Sequence, residues 1–141
     1  LRPGIARPLM RSFRAFHSSV PLSKSVNFNK LAAPFGAEHR LSRPGPGGVE
    51  IGYVAQSAII KRLNHEAPGQ WNLRVINQFQ QGDSVFVLVE LDVDGVVRQA
   101  FGSANRENRA GNPYSSAASL AFRKAASTFG IGEDQIRHMS V

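Results

Sequence analysis

Apolar and polar positions alternate most regularly over Ser84 to Val93, where Val85, Val87, Val89, Leu91 and Val93 recur at every second residue. A period of two places these side chains on one face of a strand, and a face so uniformly apolar is expected to be core. Asp94-Gly95 follows, a pair that tolerates the positive backbone angles of a two-residue hairpin turn. Val96 to about Gly102 is therefore predicted to return as an antiparallel partner. Upstream, Gln81-Gly82-Asp83 marks another turn, and Leu73, Val75 and Phe79 alternate with Arg74, Ile76 and Gln78. This predicts a first strand after Trp71.

Before that strand the period lengthens. Tyr53, Ile60, Leu63 and Ala67 are spaced seven, three and four apart, with Lys61, Arg62 and His65 on other positions. The spacing predicts an amphipathic helix from Tyr53 to about Ala67, ended by Pro68-Gly69. Ser103 to Asn112 reads as a polar surface loop. Asn112-Pro113 then starts a helix over Tyr114 to Phe129, and Gly130 and Gly132 stop it. Ala117, Ala118, Ala121, Ala125 and Ala126 are small enough to let that helix lie close on a sheet. The order helix, three antiparallel strands, helix gives an α+β fold with a three-stranded antiparallel sheet and helices packed on one face. Trp71, Phe101 and Phe129 are expected in its core.

Composition narrows the function classes. A chain of 141 residues with 42% apolar residues is about one globular domain. With no Cys there is no disulfide framework, thiol nucleophile or zinc finger. The longest apolar run, Val85 to Val89, is far short of the ~20 residues that span a bilayer. The net charge of +7 is uneven: residues 1–37 hold six basic groups and no acid, whereas residues 38–141 hold 11 basic and 10 acidic groups. The basic balance belongs to the leader, so polyanion binding by the folded part must rest on where its charges sit.

Residues 1–29 combine spaced Arg, interleaved Leu and Phe, and several Ser. They resemble a mitochondrial presequence, the alternative being a basic arm that holds nucleic acid directly. Residues 30–52 form a Pro/Gly-rich lead-in whose Arg43-Pro-Gly-Pro-Gly-Gly48 is expected to be an exposed turn. No Lys-Ser or Lys-Thr follows these glycines, which removes a phosphate-loop reading. The domain proper is expected over 53–136, with 137–141 as a tail.

Tyr53 with Arg62-Leu-Asn64, Gly69-Gln-Trp71, Val93-Asp-Gly-Val-Val-Arg98 and Ala125-Ala-Ser-Thr-Phe-Gly-Ile-Gly132 occur in this order. Together they resemble the Rad-fifty-two superfamily of single-strand annealing proteins, which includes bacterial DNA-damage-response protein A and organellar DNA-maintenance proteins. The resemblance spans about residues 31–136. It implies ATP-independent binding of single-stranded DNA, annealing of complementary strands, and assembly of copies into rings or arcs. The setting it implies is recombination, repair or genome maintenance in the mitochondrial matrix nucleoid. It also implies a β-hairpin sheet backed by a helix. The family's basic pair before its Phe-Gly falls on Arg123 and Lys124. Ala58 takes the place of an Arg that the family carries early in its first helix, leaving Lys61 and Arg62 as the nearby cations. An annealing protein needs fixed cations that track phosphates while base edges stay open. Arg123, Lys124, Arg106, Arg109, Arg98 and Arg74 would form such a stripe if loop and sheet edge converge.

Other constellations are weaker. Glu90, Asp92 and Asp94 alternate along one strand as a two-metal nuclease would need, but no catalytic Lys follows at nuclease-like spacing. His17, His39, His65 and His138 are scattered without ligand spacing, and no serine triad can be nominated. No enzyme activity, cofactor or metal is expected. The competing reading is a double-stranded-RNA-binding module or a structural subunit of a mitochondrial ribonucleoprotein, because such modules share the helix, three strands, helix order. Against it, Pro113-Tyr-Ser-Ser116 lacks the Lys cluster expected at the start of the last helix.

Overall fold

The structure, a computed structural model, describes residues 25–107 and 111–132. The leader reading for residues 1–24, the tail and Arg109 lie outside the described residues. A short helix α1 (Phe28–Leu31) is followed by strands β1 (Arg40–Pro44) and β2 (Glu50–Val54) and helix α2 (Gln56–Glu66). Strands β3 (Trp71–Gln81), β4 (Ser84–Val93) and β5 (Val96–Asn105) then lead to helix α3 (Pro113–Ser127).

The expected sheet is present: an antiparallel β3-β4-β5 arrangement with β4 in the centre. Along β4 burial alternates without a break, and Val85, Val87, Val89, Leu91 and Val93 are each at most 1% exposed. The turn from β4 to β5 is Asp94-Gly95, with φ of 52° and 83°, the left-handed pair that a tight hairpin requires. β5 runs three residues beyond the expected Gly102, because Ser103, Ala104 and Asn105 continue to pair with Phe86, Val85 and Ser84. Tertiary pairing here overrides a polar local sequence.

α3 lies across β4 and β5 and hardly reaches β3. Asn112 caps it, its side-chain oxygen accepting from the Tyr114 amide at 2.9 Å, and Pro113 occupies the first turn. Its contact face is made of small residues: Ala117, Ala121, Ala125 and Ala126 are fully buried. The approach is close enough that a Cβ added to Gly102 on β5 would overlap the Ala117 carbonyl oxygen and the Ala121 nitrogen. The helix closes with Gly130 at φ 86°. The Ile131 amide donates to the Ala126 carbonyl at 3.1 Å and the Gly130 amide to Ser127 at 2.9 Å, and buried Ile131 follows into the core.

Several expectations are corrected. Tyr53 and Val54 are not helical; they pair with Leu41 and Arg40 across a second two-stranded sheet, β1-β2, and α2 begins at Gln56. The chance spacing of seven from Tyr53 to Ile60 imitated a helix, while the true pattern was Ile51 and Tyr53 alternating in a strand. The Arg43 to Gly48 stretch does turn, but it joins two strands rather than standing as an irregular lead-in. On α2 the buried residues are Ala58, Ile59 and Leu63, with Ile60 only partly buried. Phe101, expected in the core, is 49% exposed because its register places it on the sheet face away from α3. Trp71 and Phe129 are partly buried and pack against the core.

The packed part of the described chain starts ahead of residue 30. Val26 is 7% exposed, Leu31 is fully buried, and the Phe28 ring stacks on Phe129 with centroids 6.0 Å apart. From α2, Arg62 donates to the Leu31 and Ala33 carbonyls at 2.9 and 2.7 Å and lies 3.8 Å over the Phe35 ring. Among the described residues no helix is long and apolar enough to cross a membrane.

Candidate nucleic-acid interface

An open cleft of about 550 Å³ lies where the β1-β2 hairpin, the end of β5 and α3 meet. Arg43 reaches it from β1 and Tyr53 from β2, two strands that the Pro46–Gly48 turn folds against each other. Ser103 and Asn105 come from the unexpected extension of β5. Ser116, Ser119 and Arg123 come from α3, where spacings of three and four residues put them on one side of the helix. Ser119 Oγ also donates to Gln56 Oε1 at 2.6 Å, fixing the start of α2 against α3.

The electrostatics of the cleft are one-sided, since among the described residues its lining holds Arg43 and Arg123 and no Asp or Glu. Arg123 stacks over the Tyr53 ring with its guanidinium carbon 4.8 Å from the centroid. Burial lowers its pKa from the ordinary guanidinium value, and the charge of Arg43 pushes the same way, while Tyr53 opposes them. Two cations that repel each other, one of them partly stripped of water, gain from a bound anion. The serine hydroxyls and the Asn105 amide supply uncharged hydrogen-bond partners around them. Such a lining suits a phosphodiester, with a guanidinium fork for the phosphate oxygens.

Among the described residues, the cations expected to form one stripe stand apart. Lys124, next to Arg123 in sequence, is exposed and does not line the cleft. Arg106 stands one residue beyond Asn105 in an exposed turn, held by its backbone amide to the Asp83 carbonyl at 2.7 Å. Arg98, opposite Leu91 in the β4-β5 register, places its guanidinium 5.4 Å from the Phe129 ring, near the far end of α3. Arg74 is ion-paired with Glu90 at 2.8 Å on the opposite sheet face. Arg62 is engaged by the Leu31 and Ala33 carbonyls, and exposed Lys61 borders a separate hollow with Phe35 and His65. The residues missed by sequence reasoning are Arg43 and the polar lining from β5 and α3. Their signal was the alternation Leu41/Arg43 and Ile51/Tyr53 on either side of a Pro-Gly turn, which reads as a hairpin presenting Arg43 and Tyr53 together.

The alternating carboxylates are individually engaged. Glu90 accepts from Arg74 and from Gln99 at 3.1 Å, Asp92 from the Gly95 amide at 2.9 Å, and Asp94 from the Val26 amide at 3.3 Å. Among the described residues no group of three or more His, Asp or Glu is arranged to hold a metal ion. No protein-family model and no curated protein sequence matches this chain.

Proposed function

We propose that this chain binds single-stranded DNA without ATP and anneals complementary strands, as a homo-oligomer acting in mitochondrial DNA recombination, repair or genome maintenance. The observation that carries the reading is the cleft whose described lining holds Arg43 and, over the Tyr53 ring, Arg123, with no Asp or Glu among the described residues. The resemblance of the Ala125–Gly132 segment and its neighbours to single-strand annealing proteins supports it. So does the presequence-like composition of residues 1–29 for the organelle. The cations and hydroxyls that line the cleft suit the phosphate backbone, which would leave base edges to a second strand.

The test is competition of oligothymidine, duplex DNA and duplex RNA for the full chain across a salt series. Single strands are expected to win, with a salt slope that falls by about 0.7 for each of Arg43→Ala and Arg123→Ala. Annealing of complementary oligonucleotides is expected to proceed with no nucleotide added. Duplex RNA displacing oligothymidine, or slopes indifferent to both substitutions, would refute the reading.

A further inference from the structure

The cleft gathers more positive charge around one point than a phosphate inside a strand can match. In the β1-β2 register Leu41 lies opposite Tyr53, so Arg43, two residues further along the same face, is the diagonal neighbour of Tyr53, about 7–8 Å away. Arg123 reaches the same ring from α3, its guanidinium carbon 4.8 Å from the centroid. The two guanidinium groups therefore bracket one side chain instead of being spread along a groove. Burial lowers the Arg123 pKa and the charge of Arg43 adds to the effect, as expected of cations that share a site. Among the described residues no carboxylate relieves the pair: α3 and β5 contain no Asp or Glu, and Glu50, the acid of the hairpin, lies opposite Pro44 on the other face.

Charge and donor number decide which phosphate fits. A phosphodiester within a strand carries a single negative charge and offers only its two non-bridging oxygens. A phosphomonoester carries about −1.5 to −2 at pH 7 and has three strong acceptor oxygens. Only the monoester balances two converging guanidinium groups and keeps an oxygen for a hydroxyl such as that of Ser116, which is exposed and lines the cleft from α3. The cleft is open, and its volume of about 550 Å³ leaves room for the nucleoside that bears the phosphate. We propose that the cleft seats a phosphomonoester, supplied by the phosphorylated end of a strand rather than by a phosphate along it. That the bearer is single-stranded DNA rests on the function proposed above; the match of charge and donors does not.

The experiment measures binding of the full chain to short oligothymidines of one length that differ only at their ends: unphosphorylated, with a 5′-phosphate, with a 3′-phosphate, or with a 5′-phosphate blocked as its methyl ester. The ester keeps the terminal group and removes its second charge. A free terminal phosphate is expected to tighten binding on the order of 10-fold over the unphosphorylated strand, and the ester to lose most of that gain. The tighter of the 5′ and 3′ arms assigns which terminus enters. Arg43 is exposed, so Arg43→Ala is expected to keep the wild-type thermal transition while erasing the gain. Arg123→Lys, which keeps a charge and loses the fork, should reduce it. Equal affinity for all four strands, or a gain that survives in the ester or in Arg43→Ala, overturns the inference and leaves the proposed function standing. Arg43-dependent binding of thymidine 5′-monophosphate, in a chain that binds no oligothymidine of any ending, would sink the proposed function and leave the phosphomonoester seat in place.

Discussion

Replacing Gly102 by Ala adds one methyl group where the backbone of α3 crosses β5. The added Cβ would overlap the Ala117 carbonyl oxygen and the Ala121 nitrogen, and would stand 3.0 Å from the Ala121 Cα. All three obstacles are helix backbone, so no side chain can rotate away and the helix must lift. Lifting it loosens Ala117, Ala121, Phe122 and Ala125, all fully buried against a sheet whose Val87 and Val89 are equally dry. Overpacking of a dense core costs about 1–3 kcal/mol, and a rigid obstacle puts this site at the upper end. Stiffening the unfolded chain by Gly→Ala returns only about 0.4–1 kcal/mol. The net loss is on the order of 2–3 kcal/mol, or a Tm lower by roughly 10–20 °C for a domain of this size. Thermal and urea unfolding followed by circular dichroism would measure it, with Ser103→Ala as the neighbouring control expected within about 0.5 kcal/mol of wild type. A Gly102→Ala protein that melts within a degree or two of wild type would show that α3 does not rest on the strand backbone there.

Further outcomes follow from other contacts. Arg123→Ala should lower the salt slope of oligothymidine binding while Lys124→Ala leaves it nearly unchanged, because Lys124 does not line the cleft; equal effects in filter binding would contradict that geometry. Arg62→Gln should cost about 1–3 kcal/mol in urea unfolding, since it strips the Leu31 and Ala33 carbonyls of their donor, and limited proteolysis should then cut near Ala33 before the sheet is attacked. Glu90 has its carboxyl pKa lowered, first by the hydrogen bond from Gln99 and then by Arg74. A carboxylate lowered in the folded state adds stability above its unfolded pKa of about 4.5 and loses it as pH falls through the folded value. Glu90→Gln should therefore flatten the acid limb of a stability-against-pH curve below about pH 4.5, and an unchanged limb would count against the network.

The parts legible in the sequence were those where local chemistry and tertiary demand agree. The β4 alternation, the Asp94-Gly95 turn and the small-residue face of α3 each carry a strict steric or burial rule, and each reads directly. The β1-β2 hairpin was hidden because Pro44 and its glycines suppress strand propensity while pairing with Glu50 to Val54 overrides it. Arg43 was hidden with it, and Arg123 became informative only once the hairpin placed Tyr53 beneath its guanidinium. Charge grouping in the sequence also misled. Arg74 and Arg62 look as available as Arg123, yet Glu90 and two backbone carbonyls claim them, and those partners lie 16, 31 and 29 residues away.

The segment from Val26 to Phe35 is fastened at points supplied by separate elements. Its Val26 amide donates to the Asp94 carboxylate in the β4-β5 turn, its Phe28 ring needs Phe129 beyond the end of α3, and its Leu31 and Ala33 carbonyls need Arg62 on α2. None of these anchors stands in position until the hairpin has closed and both helices have docked on the sheet. The segment can complete its contacts only when those elements are in place, so it is expected to be the last to assemble and the first to come away, although Val26, Leu31 and Phe35 are buried. Hydrogen exchange would see this as weak protection of the Leu31 and Ala32 amides, which donate to Asn27 and Phe28 within the segment itself, beside strong protection along β4. Wherever the chain is made or imported, the closing of this strap would then mark the moment at which the rest of the domain is complete.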